Sequence, residues 1–70
     1  MLQIEYKNFI SYEREIALVE IVKVVGSSPR EIGSWMLVSD KSTFNTIGGG
    51  TLEYKMIKEA RKILEFSRQT

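Results

Sequence analysis

Three glycines and a carboxylate in the run Gly48-Gly49-Gly50-Thr51-Leu52-Glu53 are the residues whose types and spacing come nearest to doing chemistry. Glycines placed directly after a strand let the backbone approach a ligand closely and turn successive N–H groups into a concavity. A helix starting there adds donors and partial positive charge, which suits a phosphate or carboxylate. The run is not a dinucleotide fingerprint, which would need glycine in place of Glu53, and it lacks the Gly-Lys-Ser/Thr of a Walker A loop. Counting back through Leu64, Ala60 and Ile57 places Glu53 on the apolar side of the helix, so its charge needs a task. With Gly50 as N-cap, Glu53 is the third helical residue and can reach back to a backbone N–H. Alternatively it accepts from a donor-rich heterocycle, or it positions Arg30.

The second cluster is Ser27-Ser28-Pro29-Arg30, which follows Gly26. Proline fixes its own φ and pushes Ser28 toward extended geometry, so the loop is shaped. Arg30 offers a planar set of donors for phosphate or carboxylate, and the serines offer hydroxyls. If the strand ends share one edge of the sheet, this loop lies beside the glycine turn and the two make one anion site. No histidine or cysteine occurs in the chain. Neither serine has an evident base, cysteine catalysis is impossible within the chain, and the scattered carboxylates have no metal-binding spacing. Trp35 is read as packing in the core or at a subunit contact; the alternative is a stacking platform for a planar ligand.

These residues must be positioned by five elements. Leu2, Tyr6, Phe9 and Ile10 recur at helical spacing and predict a first helix from Leu2 to Glu13. Ile16 to Val25, dense in β-branched residues, predicts the central strand, with Glu20 and Lys23 reaching solvent. Ser34 to Ser39 predicts a second strand, Asp40, Lys41 and Ser42 a turn, and Thr43 to Ile47 a third strand returning as an antiparallel hairpin. Met56, Ile57, Ala60, Ile63 and Leu64 form the apolar stripe of a last helix over roughly 50–66. Its other side carries Lys55, Lys58, Glu59 and Lys62 as a solvated face, with Phe66 turned toward it.

The chain has 70 residues, 43% of them hydrophobic, and a net charge of +1. That length predicts one domain with a thin core, and without cysteine or histidine neither a disulfide nor an ordinary zinc site can brace it. Self-association or docking onto another chain is the expected remedy. The balanced charge gives no pull toward nucleic acid or acidic membranes, and no run approaches the length of a membrane span. The reading is a soluble, cytoplasmic protein.

Taken together, VGSSPREIGSWMLVSD, TIGGGTLE and the Ala-Arg-containing helix resemble the N-terminal domain of the XdhC/CoxI family over roughly Val19 to Leu64. The resemblance implies an accessory, chaperone-like protein for molybdenum hydroxylases such as xanthine dehydrogenase, one that binds molybdenum cofactor transiently, protects it during sulfuration and delivers it. It further implies that Ser27, Ser28, Arg30, Gly48, Gly49 and Gly50 belong to the binding surface. Glycine turn and Arg30 would hold the cofactor phosphate, and Glu53 would accept from the pterin edge. Some related proteins have cysteine directly after the glycine triplet; Thr51 stands there, so a separate sulfurtransferase would supply sulfur. The implied partners are a hydroxylase apoenzyme, a sulfurtransferase and a separate Rossmann-domain accessory protein, because family members continue into a Rossmann-like second domain that residues 1–70 do not include.

The expectation is therefore a single small α/β (α+β) domain, with a mixed or antiparallel sheet of at least three strands and two flanking helices on one face. Its function is cofactor binding in molybdenum-enzyme maturation. The alternatives are a non-catalytic interaction subunit that completes a Rossmann-domain protein, and a small enzyme acting on a phosphorylated or nucleotide substrate.

Overall fold

The computed structural model describes residues 2–26 and 30–69. Its elements run α1 (Leu2–Tyr12), β1 (Ala17–Glu20), β2 (Trp35–Val38), β3 (Thr43–Asn45) and α2 (Gly50–Gln69). The strands form an antiparallel sheet in the order β1-β2-β3. Val19 lies opposite Met36, and Leu37 has Leu18 on one side and Phe44 on the other. The expected α+β class with two helices and three strands is the observed one.

The central strand is β2 and not the Ile16–Val25 segment, which contributes the edge strand β1. Met36, Leu37 and Val38 are all buried, as expected of a strand paired along both edges and covered on both faces. β-branched residues continue past Glu20, yet Val22 and Val25 are 77% and 82% exposed. The ladder stops because its partner bulges. Gly33 N–H donates to the Ile21 carbonyl while Ile21 N–H donates to Ser34, so two residues face one. With Gly33 at φ 93°, this is the glycine type of β-bulge, closed by a bond from Ser34 N–H to the Glu31 carbonyl. High β propensity makes the segment extended; only a partner can make it a strand.

Alternation along β2 sends its side chains to two faces. Met36 and Val38 join Ile47 and Ala60 in the core, with Ala17, Val19, Ile21, Leu52, Met56 and Ile57 packed around them, so α2 covers this face. Trp35 and Phe44 point the other way and meet α1, through Tyr6 against both rings and Phe9 against Phe44, at centroid separations of 5.9–6.4 Å. The helices therefore lie on opposite faces, correcting the one-face arrangement. A three-strand sheet with apolar residues on both sides needs a cover on each.

At the far hairpin, Ser39 N–H bonds to the Ser42 carbonyl, and the buried Ser39 hydroxyl accepts from Ser42 N–H. The turn at Asp40-Lys41-Ser42 is thus the expected one. Arg61 Nε donates to the Ser39 carbonyl at 2.9 Å, and Arg68 in the last turn of α2 pairs with Asp40 and with Glu15, holding the helix beyond residue 66. Along α2, Ala60 and Leu64 are buried and Met56 and Ile57 half-buried, whereas Ile63 is 63% exposed. Ile63 sits at the margin of the stripe, outside the width that a three-strand sheet covers. Phe66 is exposed, as its helical position predicts.

Candidate functional site

Sheet topology brings the end of β1, the start of β2 and the end of β3 to one edge. Asn45, the last residue of β3, adopts φ 68°, a conformation that asparagine tolerates better than most residues, and the chain turns out of the ladder. Gly48, Gly49 and Gly50 then follow at φ 113°, 74° and 73°. Consecutive positive φ values are accessible to glycine without the steric penalty that other residues meet, which is why the triplet is glycine.

The Gly33 bulge turns the other arm so that Arg30 reaches across this turn. Its guanidinium Nη1 donates to the Ile47 carbonyl at 2.9 Å and to the Gly49 carbonyl at 3.1 Å. A Cβ on Gly48 would stand 2.7 Å from that nitrogen, so a side chain there would strain the backbone and push the end of the arginine aside. The two loops are thus one structure.

Glu53 serves the same turn from below. Its Oε1 accepts from Ile47 N–H at 3.0 Å, from Gly49 N–H at 3.1 Å and from the Thr46 hydroxyl, while the Thr46 oxygen itself accepts from Gly48 N–H at 3.0 Å. Hydrogen bonds from Thr46, opposed in part by burial, and then those from Ile47 and Gly49 and the charge of Arg30, hold the Glu53 carboxyl below its ordinary value of 4.5. Of the uses open to Glu53, capping of backbone N–H groups is realised, extended from one backbone donor to two, with the Thr46 hydroxyl as a third. The turn's donors at residues 47, 48 and 49 face this internal network. Donors directed outward from this edge come from the first turn of α2, whose N–H groups no preceding carbonyl of the helix reaches.

A group whose folded pKa is depressed stabilises the fold above its unfolded pKa, and that stabilisation is lost as pH falls through the folded value. Domain stability should therefore hold between pH 7 and 5 and decline below about 4.5. Glu53→Gln, which keeps an acceptor but loses the charge, should cost about 1 kcal/mol at pH 7 and flatten the acid limb. Urea denaturation across pH checks this; an unchanged acid limb in the variant would assign the decline to other carboxylates.

Ser27 and Ser28 lie outside the described residues. Arg30, Gly48, Gly49, Gly50 and Glu53 are brought together, and Thr46 joins them unpredicted. Its signal was readable, since threonine two residues before a glycine is the pattern of a hydroxyl that accepts from the backbone two residues on. Trp35 is half-buried against Tyr6 and Phe44, consistent with packing. Among the described residues no group of three or more acidic, histidine or cysteine side chains could hold a metal ion, and no helix is long and apolar enough to cross a membrane.

Comparison with known proteins gave no match to a curated protein and none to a solved structure. The model of the XdhC and CoxI family, however, matches residues 10–70, a span that contains the bulged arm, Arg30, the glycine turn and all of α2. The chain belongs to the XdhC and CoxI family.

Proposed function

We propose that this chain is a recognition domain of a molybdenum-hydroxylase accessory protein, contributing to transient binding of molybdenum cofactor at the edge that carries Arg30 and the glycine turn. The observation that supports this reading most is the docking of Arg30 onto the turn, because it holds a guanidinium at the N-terminus of a long helix. Two sources of positive potential then meet at this edge, offset in part by the Glu53 carboxylate under the turn. The donor set fits the phosphate end of the cofactor, through Arg30 and the first-turn N–H groups of α2. Glu53 fits less as a direct pterin contact and more as the residue that shapes the turn, since its Oε1 already takes three donors. The cofactor, when bound, carries the molybdenum chemistry; this domain holds and shields it.

Titration of the purified domain with molybdenum cofactor, alone and with a candidate Rossmann-domain partner, tests the proposal. Arg30→Ala should weaken binding about tenfold, roughly the worth of one charge-assisted hydrogen bond to a phosphate. No saturable binding in either setting removes the cofactor role. A second reading, an interaction subunit for a Rossmann-domain protein, is favoured by the exposed Val22, Val25 and Ile32 on the arms that carry the site. Under it, the partner binds and the cofactor does not.

A further inference from the structure

A groove of about 440 Å³ opens at the other end of β3, between α1 and the hairpin turn, and is lined by Asn8, Phe9, Tyr12, Glu13, Ser42 and Phe44. Three of the six lining residues are aromatic. Phe9 and Phe44 are half-buried and held by the ring cluster on the α1 face of the sheet, with centroids 5.9 Å apart, so two walls are fixed by the fold. Tyr12, 83% exposed, adds a third ring that makes no contribution to the core. Glu13 is partly buried, its N–H closes the end of α1 on the Phe9 carbonyl, and no described cation lies within ion-pair distance of its carboxylate.

Aromatic faces carry negative quadrupole potential and attract cations whose charge is spread over methyl groups. An adjacent carboxylate supplies the counter-charge, and the partial desolvation that weakens hydration of Glu13 strengthens its pairing with a soft cation. A small metal ion would need more than the single carboxylate that Glu13 offers, and a phosphate would meet Glu13 with like charge. The composition of the wall therefore suits an organic cation.

We infer that the groove between α1 and the β2–β3 turn binds a quaternary or methylated ammonium group of a small solute, with Phe9, Tyr12 and Phe44 as the cage and Glu13 as the counter-ion. This site is separate from the Arg30 edge and does not depend on the cofactor reading.

Choline and its neutral carbon isostere 3,3-dimethyl-1-butanol are the probes, followed by ring and amide chemical shifts of the isotopically labelled domain. Choline should shift Phe9, Tyr12, Glu13 and Phe44 saturably with a Kd of about 10 mM or tighter. The isostere should bind at least about fivefold more weakly, since it fills the same volume without charge. Glu13→Gln, which keeps the size of the side chain, and Tyr12→Leu, at an exposed position, should each weaken choline binding about three- to tenfold while the remaining spectrum stays that of the folded domain. Equal response to the isostere, shifts confined to other residues, or full affinity in Glu13→Gln would each overturn the assignment.

Discussion

Gly48→Ala is expected to destabilise the domain by about 2–4 kcal/mol, lowering its melting temperature by about 10 °C or more. Two costs combine. The residue sits at φ 113°, where a side chain is strained by about 1–3 kcal/mol. Its new methyl would also stand 2.7 Å from Arg30 Nη1, displacing the guanidinium from the Ile47 and Gly49 carbonyls. Gly49→Ala separates these terms, because φ is again positive, at 74°, but nothing lies within 4 Å of the added Cβ. It should cost about 1–2 kcal/mol, the backbone part alone. In an Arg30→Ala background, Gly48→Ala should lose its steric part, giving a coupling energy of about 1 kcal/mol. Thermal melts of the four proteins of that cycle decide the matter, and strict additivity would mean that Arg30 does not rest on Gly48 in solution.

The second large effect is in the core. Met36→Ala should cost about 2–5 kcal/mol, since it empties a fully buried site on the central strand. A domain of this length has a total stability of only about 4–10 kcal/mol, so the variant should lose roughly half of it. Its place in the core cluster, against Val38, Ile47 and Ala60, leaves no solvent-facing direction in which neighbours can relax cheaply. Ile63→Ala is the contrast. A sequence reading gives Ile63 a place in the same apolar stripe, but its exposure predicts a change within about 0.5 kcal/mol. Urea titrations of both variants test the pair, and comparable losses would show that α2 packs through a different face.

The difference between Met36 and Ile63 shows what could be read from residue order. Periodicity identified α2 and the side it buries, because Ala60 and Leu64 fall on that side whatever the sheet does. It could not set the width of the covered stripe, which depends on how many strands lie beneath. In the same way, the β-branched run from Ile16 to Val25 announced extended backbone. That only its first part pairs follows from the Gly33 bulge across from it, and its place at an edge from the order of the sheet. The hairpin turn was legible because Asp40, Lys41 and Ser42 act locally. The side of the sheet taken by α1 was not, because α1 is fixed by rings of Trp35 and Phe44 that are distant in sequence.

At the site, residue order by itself determined the chemistry on offer: a glycine triplet able to take positive φ, a carboxylate in the first turn of a helix, an arginine in a shaped loop, and the family to which their arrangement belongs. Those properties are local, set by the absence of a Cβ, by capping preference and by charge. Tertiary structure decided how they are used. Only the shared edge of the sheet lets Arg30 close over a turn 17 residues away and take up the carbonyls of Ile47 and Gly49, whose N–H groups go to Glu53. A buried polar group must find a partner wherever the chain brings one, and which partner arrives depends on the path of the whole backbone.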